Sequence, residues 1–138
     1  MTSIEHSGAA DYLAVLRPKV SRQEKFLAIA KAFSYFGRPY DYNFDFATDN
    51  ELVCSELVYK AYEASANLDL APAQINGRPL LPPNMLAQKF DEWKDSPDQR
   101  FELVLYLQGN EEKQTFFECT TEDFKKSWQR PKWDIMQE

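Results

Sequence analysis

The sequence predicts a mixed α+β domain in which a small antiparallel sheet packs on helices. Three observations lead to this class: an apolar run at residues 12–16, an alternating run at 101–107, and helix-start signals at Ser21 and Thr120. The chain has 138 residues, of which 43% are hydrophobic, and this is enough for one packed core. We therefore expect a single domain over residues 1–138 with few strands.

The first two elements are a strand and a helix. The apolar run 12–16 is closed by Arg17 and Pro18, and its length is typical of a buried strand. Ser21 with Glu24 three residues later fits a capping box at the start of a helix. Behind this cap the apolar residues recur at helical spacing: Phe26, Leu27, Ile29, Ala30, Phe33, Tyr35 and Phe36. Gly37 and Pro39 should end the helix.

Residues 38–49 predict an ordered loop, because their aromatic side chains are unlike those of a solvated linker. Asp49, Asn50 and Glu51 are good helix N-terminal residues, so we expect a second helix to begin near them and to run to Tyr62. Residues 38–62 therefore form a loop followed by a helix.

The remaining elements belong to the second half of the chain, including an extension over residues 84–138. Residues 68–83 are rich in proline and turn signals and predict a connection. Asn84 is suited to cap a short helix, and the run 101–107 alternates as a strand does. Thr120 with Asp123 indicates one more helix.

Composition excludes several classes of protein. With 16 Lys and Arg against 22 Asp and Glu, the formal charge is −6, and no basic face suited to nucleic acid is present. No apolar run approaches the ~20 residues of a transmembrane helix, and the first residues carry no signal-peptide pattern. Two cysteines are too few for a disulfide scaffold. They are compatible with the cytoplasm, but a location in the cell envelope stays open.

Cys54 is the candidate nucleophile. It lies in the first turn or so of the predicted second helix, where unpaired backbone N–H groups and the helix dipole favour a negatively charged thiolate. The alternative is that Cys54 is a small apolar residue on the inner face of that helix. Cys119 has no such setting and is expected to be ordinary core or surface.

No metal or cofactor is expected. Asp41, Asn43 and Asp45 have the spacing that opens an EF-hand, but Phe46 replaces the required glycine and Leu52 the bidentate glutamate. The carboxylates are expected to cap turns or to lie beside Arg38, and the loop aromatics to pack around the Cys54 helix.

The C-terminal segment also has two interpretations. Trp128 and Trp133 flank a short basic stretch, a pattern that occurs at membrane interfaces. Attachment of the segment to the core by the two indoles is the favoured reading, and contact with a membrane stays open.

Two segments together resemble a known family. Gly37-Arg38-Pro39-Tyr40-Asp41-Tyr42 is followed, after a short spacer, by Val53-Cys54-Ser55-Glu56-Leu57-Val58-Tyr59-Lys60-Ala61-Tyr62. This pair is similar to the signature of the permuted papain-like amidases of the YiiX/YebB type, relatives of the NlpC cell-wall cysteine hydrolases. The similarity is strong over residues 12–62 and weaker beyond.

The resemblance implies a circularly permuted papain-like fold and a cysteine hydrolase mechanism. Cys54 would attack an amide or ester carbonyl, a histidine would accept its proton, and backbone N–H groups would stabilise the oxyanion. Tyr40 matches the tyrosine that helps to hold or polarise the substrate. Ser55 and Glu56 belong to the motif as structural supports, Glu56 bonding Arg38 or a nearby backbone group.

The sequence departs from the family pattern at the histidine. His6 is the one histidine, and no apolar strand surrounds it. Two explanations stay open: the general base lies in an N-terminal part of the domain that this sequence lacks, which we favour, or His6 serves in an altered geometry.

Three functions follow from these alternatives. The chain is a hydrolase acting on a small-molecule, peptide or lipid-like substrate with an acyl bond, a non-catalytic binding module of the same fold, or a lipid-associated acyl hydrolase or transferase. The sequence predicts no oligomeric state.

Overall fold

The computed structural model describes residues 10–65, 67–110, 113 and 115–130, which form strands and helices in two compact units. The strands are β1 (Tyr12–Pro18), β2 (Ala73–Ile75), β3 (Arg78–Leu80), β4 (Phe101–Asn110) and β5 (Thr115–Glu118). The helices are α1 (Arg22–Ser34), α2 (Cys54–Tyr62), α3 (Pro83–Trp93) and α4 (Thr121–Ser127). The predicted α+β class is confirmed, and the extent of the domain over residues 1–138 stays a prediction.

The first unit comprises Met1–Pro18 and Ala87–Glu138 and contains a three-stranded antiparallel sheet in the order β1-β4-β5. Phe124 of α4 packs edge-on against Phe90 and Tyr106, with ring centroids 5.1 and 5.3 Å away. These three residues are buried and form the core of this unit together with Phe101. The helix cap predicted at Thr120 is confirmed, because Thr120 Oγ1 accepts the backbone N–H of Asp123 at 3.2 Å.

Strand β1 was expected to be buried, and this expectation is wrong. Among the residues that the structure describes, it pairs only with β4, with Tyr12 opposite Gln108 and Pro18 opposite Phe101, so it is an outer strand of the described sheet. Tyr12 and Val15 are 47% and 40% exposed. An apolar run therefore identified a strand correctly but did not decide its place in the sheet.

The second unit, Lys19–Leu86, contains α1, α2 and the hairpin β2–β3. The capping box of α1 is confirmed: Ser21 Oγ accepts the N–H of Glu24 at 3.1 Å, and the Glu24 carboxylate accepts the N–H of Ser21 at 2.8 Å. The hairpin replaces part of the predicted connection. Asn76 and Gly77, both with positive φ, form its two-residue turn, as expected of this dipeptide.

The apolar positions of α1 do not all face the core. Ala28 is buried, as is Tyr35 directly after the helix, whereas Phe26 and Phe33 are 68% and 63% exposed. The following loop is also mixed, because Phe46 is buried and Tyr42 is 82% exposed. The expectation that the loop aromatics pack away from water is therefore correct for Phe46 and wrong for Tyr42.

Helix α2 starts later than predicted, and this places Cys54 at its first position. Leu52 forms a parallel bridge with Tyr40, and its N–H donates to the Pro39 carbonyl at 3.1 Å. This pairing holds the backbone extended, so the helix begins only after Val53. Within the described parts of the chain, no helix is long and apolar enough to cross a membrane.

Candidate active site

Cys54 is the first residue of α2 and is exposed to solvent. The first intrahelical hydrogen bond runs from the N–H of Leu57 to the Val53 carbonyl at 3.0 Å. The N–H groups of Cys54, Ser55 and Glu56 therefore precede the hydrogen-bonded part of the helix. The thiol thus lies at the end of α2 where N–H groups and the positive end of the helix dipole meet.

The residue before Cys54 is an unusual helix N-cap. Val53 is 2% exposed and has an extended backbone, and its side chain makes no capping hydrogen bond. Serine, threonine, aspartate or asparagine at this position would accept an N–H from the first turn. A valine leaves those N–H groups free of a side-chain cap, and this suits a helix end that has to bind an anionic group of a ligand.

Tyr40 is connected to the Cys54 segment through the backbone. Its bridge partner Leu52 lies two residues before Cys54, and the N–H of Asp41 donates to the Leu52 carbonyl at 3.3 Å. The Tyr40 side chain is half-exposed and makes edge-on contacts with Tyr42 and Phe44, with ring centroids 5.1 and 6.4 Å apart. The two halves of the sequence motif are therefore neighbours in the fold.

Asp41 braces the loop that carries Tyr40. Its carboxylate is buried, and it accepts the N–H of Asn43 at 2.7 Å and the N–H of Asp45. The expectation that the loop carboxylates cap turns is therefore correct for Asp41. Among the residues described by the structure, no group of three or more His, Cys, Asp or Glu side chains is arranged to hold a metal ion.

Glu56 and Lys60 form a buried ion pair one turn apart on α2. Glu56 is fully buried, and its Oε1 lies 3.4 Å from Lys60 Nζ. Its Oε2 accepts the N–H of Val53 at 3.3 Å, so the predicted bond to a nearby backbone group is confirmed. Burial raises the pKa of the Glu56 carboxyl despite the opposing effects of the Val53 N–H and the Lys60 ammonium.

Lys60 also contacts the loop before α2. Its Nζ donates to the Thr48 carbonyl at 3.1 Å and pairs with Asp49. Burial alone would lower the pKa of Lys60, but the hydrogen bond to Asp49 and the nearby carboxylates of Asp49 and Glu56 raise it. The same hydrogen bond lowers the pKa of Asp49.

Sequence analysis did not identify Lys60 as part of the site. The spacing of four residues between Glu56 and Lys60 in an apolar helix was a signal that could have found their pairing. Of the two partners expected for Glu56, the backbone group is found, whereas the guanidinium of Arg38 lies over the ring of Tyr35, 4.7 Å from the centroid.

The other residues that the sequence singled out do not contribute to the described site. Cys119 belongs to the other unit and is half-buried, with its Sγ 3.9 Å from Gln108 Oε1. Trp128 donates its indole N–H to Asp91 at 3.1 Å, and this supports attachment of the C-terminal helix to the core. His6 and Trp133 lie outside the described residues.

One comparison with known proteins gave a match. Residues 4–128 match the family model described as permuted papain-like amidase enzyme, YaeF/YiiX, C92 family. No curated protein and no solved structure matches the chain.

Proposed function

The chain belongs to the permuted papain-like amidase family of YaeF/YiiX enzymes, and we therefore propose that it hydrolyses an amide or ester bond with Cys54 as the nucleophile. The observation that carries this proposal is the exposed Cys54 thiol at the first position of α2. A thiolate is the reactive form of cysteine, and helix N-termini favour it. The bond attacked is the acyl bond of a small molecule, a peptide or a lipid-like substrate.

The N-terminus of α2 is also suited to stabilise the transition state. Attack of Cys54 on a carbonyl carbon moves negative charge onto the carbonyl oxygen, and donors aimed at that oxygen lower the barrier. The backbone N–H groups of the first turn have no side-chain cap, because Val53 occupies the N-cap. We assign the oxyanion-binding role to these N–H groups.

Tyr40 has a proposed role in positioning the substrate. The ladder between Tyr40 and Leu52 supports this role, because it fixes the backbone of Tyr40 relative to the segment that leads into Cys54. The half-exposed phenol is accessible to a substrate group, and its hydroxyl can donate to a carbonyl.

The proton of the thiol requires an acceptor. In a papain-like mechanism this is a histidine, which later returns the proton to the leaving group. His6 is the one histidine of this sequence and therefore the acceptor that we propose within it, although the family pattern places the histidine on an early strand and no apolar strand surrounds His6. A His6→Ala variant with full activity would contradict this role while leaving that of Cys54 unaffected.

The proposed function is tested with a panel of fluorogenic amides, short peptides and acyl esters. Cys54→Ser should lower kcat/KM on any hydrolysed substrate by about 10³-fold or more, because it replaces the nucleophile. Cys119→Ser is the matched control and should retain activity, because Cys119 lies in the other unit. Equal activity of wild type and Cys54→Ser would contradict the proposal. Complete inactivity of the wild type across the panel would favour a non-catalytic binding module.

A further inference from the structure

The ion pair between Glu56 and Lys60 is an unusual feature of the helix that begins with Cys54. Both side chains are buried, with 0% and 8% of their surface exposed. Removing two charges from water has a large free-energy cost, which their mutual attraction largely offsets, so such a pair adds little to stability. Its position on α2, two and six residues after Cys54, indicates a different use.

Glu56 fixes the backbone that leads into Cys54. Its Oε2 accepts the N–H of Val53, and the apolar side chain of Val53 cannot form a cap of its own. The Glu56 carboxylate thus fixes the position of the Val53 backbone directly before the first turn of α2. The same carboxylate carries a negative charge near a helix end where Cys54 would form a second one, and like charges oppose each other.

Lys60 provides the opposite charge and a second attachment. Its ammonium lies 3.4 Å from Glu56 Oε1, which has no hydrogen-bond partner among the described residues. It also holds the Thr48 carbonyl and Asp49, whose carboxylate accepts the Tyr35 hydroxyl at 3.3 Å. Two side chains of α2 therefore hold the segment that precedes this helix: Lys60 binds residues 48–49, and Glu56 binds residue 53.

We propose that Lys60 is a positioning residue for Cys54, acting through Glu56. The Glu56 carboxylate holds the Val53 N–H, and the Lys60 ammonium offsets its negative charge, which would otherwise disfavour the Cys54 thiolate. The inference rests on the proposed nucleophilic role of Cys54. The charged groups that face Glu56 are Lys60, which favours its ionised form, and Asp41, which opposes it. Asp49 faces Lys60 from the preceding loop.

The test is the pH dependence of iodoacetamide alkylation at Cys54, followed by site-resolved mass spectrometry with Cys119 as the internal reference. Lys60→Met should slow alkylation of Cys54 at neutral pH by about tenfold and move the midpoint of the pH–rate curve upward by about one unit. Lys60→Arg should retain most of the wild-type rate. Lys31→Met is the matched control, because Lys31 lies over the Tyr35 ring in the same unit, and it should leave the rate unchanged.

Glu56→Gln distinguishes positioning by charge from a merely structural role. It removes the negative charge but keeps an oxygen for the Val53 N–H, so Cys54 should react as fast as in wild type or faster. Combining Glu56→Gln with Lys60→Met should restore the rate lost in Lys60→Met alone and leaves no unpaired buried charge. If Lys60→Met does not fold, the double variant is compared with Glu56→Gln alone: slower alkylation of Cys54 in the double variant would contradict the inference that Lys60 acts through Glu56.

Two results would overturn the inference. One is an unchanged pH–rate curve in Lys60→Met, and the other is slowing in Glu56→Gln equal to that in Lys60→Met. Neither depends on hydrolysis. Failure of the proposed function, seen as Cys54→Ser retaining activity, is thus distinct from failure of this inference.

Discussion

Replacing Asp41 should loosen the loop that carries Tyr40. The Asp41 carboxylate is 3% exposed and accepts the backbone N–H groups of Asn43 and Asp45. A hydrogen bond to a charged group contributes about 1.5–3 kcal/mol, and Asp41→Ala removes two of them. Asn43 and Asp45 are exposed, so water can replace part of the loss. We expect Asp41→Ala to lower the free energy of unfolding by about 2–3 kcal/mol.

The assay is urea denaturation followed by tyrosine and tryptophan fluorescence, with Asp45→Ala as the matched control. Asp45 makes one hydrogen bond of the same kind, to the N–H of Ala47 at 3.0 Å, but it is exposed. Its removal should cost about 0.5–1 kcal/mol. Asp41→Asn keeps one acceptor oxygen and should lie between the two variants. Equal losses in Asp41→Ala and Asp45→Ala would refute the reasoning that burial determines the contribution of this carboxylate.

Three further predictions concern other parts of the fold. The hydrogen bonds with Ser21 lower the pKa of the Glu24 carboxyl. The ionised carboxylate therefore stabilises the fold at pH values above the ordinary pKa of glutamate, and this contribution is lost as the pH falls through the lowered pKa. In an acid titration, the stability advantage of wild type over Glu24→Gln should vanish over that pH range. Gly77→Ala should lower the free energy of unfolding by about 1 kcal/mol, because φ is +76° at this position; no atom lies near the added Cβ, so the loss comes from the backbone conformation alone. An unchanged midpoint of urea denaturation would contradict this prediction. Trp128→Phe removes the hydrogen bond to Asp91 and should cost about 1 kcal/mol, whereas no loss would show that the bond does not hold α4.

Local sequence signals predicted the helix starts well. The capping boxes at Ser21 and Thr120 were identified because all their donors and acceptors lie within four residues. The start of α2 was predicted several residues too early. Asp49 is a good N-terminal residue by type, but it pairs with Lys60, and Leu52 is held extended by Tyr40. Both interactions join residues more than ten positions apart, so no local pattern indicates them.

Burial was predicted less well than secondary structure. The apolar runs of β1 and α1 identified a strand and a helix, but Val15 and Phe33 are exposed. Which face of an element packs depends on its neighbours, and periodicity alone does not supply them.

The sequence by itself determined the α+β class, the family and the candidate nucleophile, because these depend on residue types at fixed spacing: Tyr40 and Cys54 in a paired motif, and caps within one helical turn. The tertiary structure determined that Cys54 is the first residue of α2 and that Glu56 and Lys60 form a buried pair on the same helix. The reason is physical. The start of a helix and the burial of a charge depend on competing partners brought together from distant parts of the chain, and the free energy of those contacts exists only in the folded state.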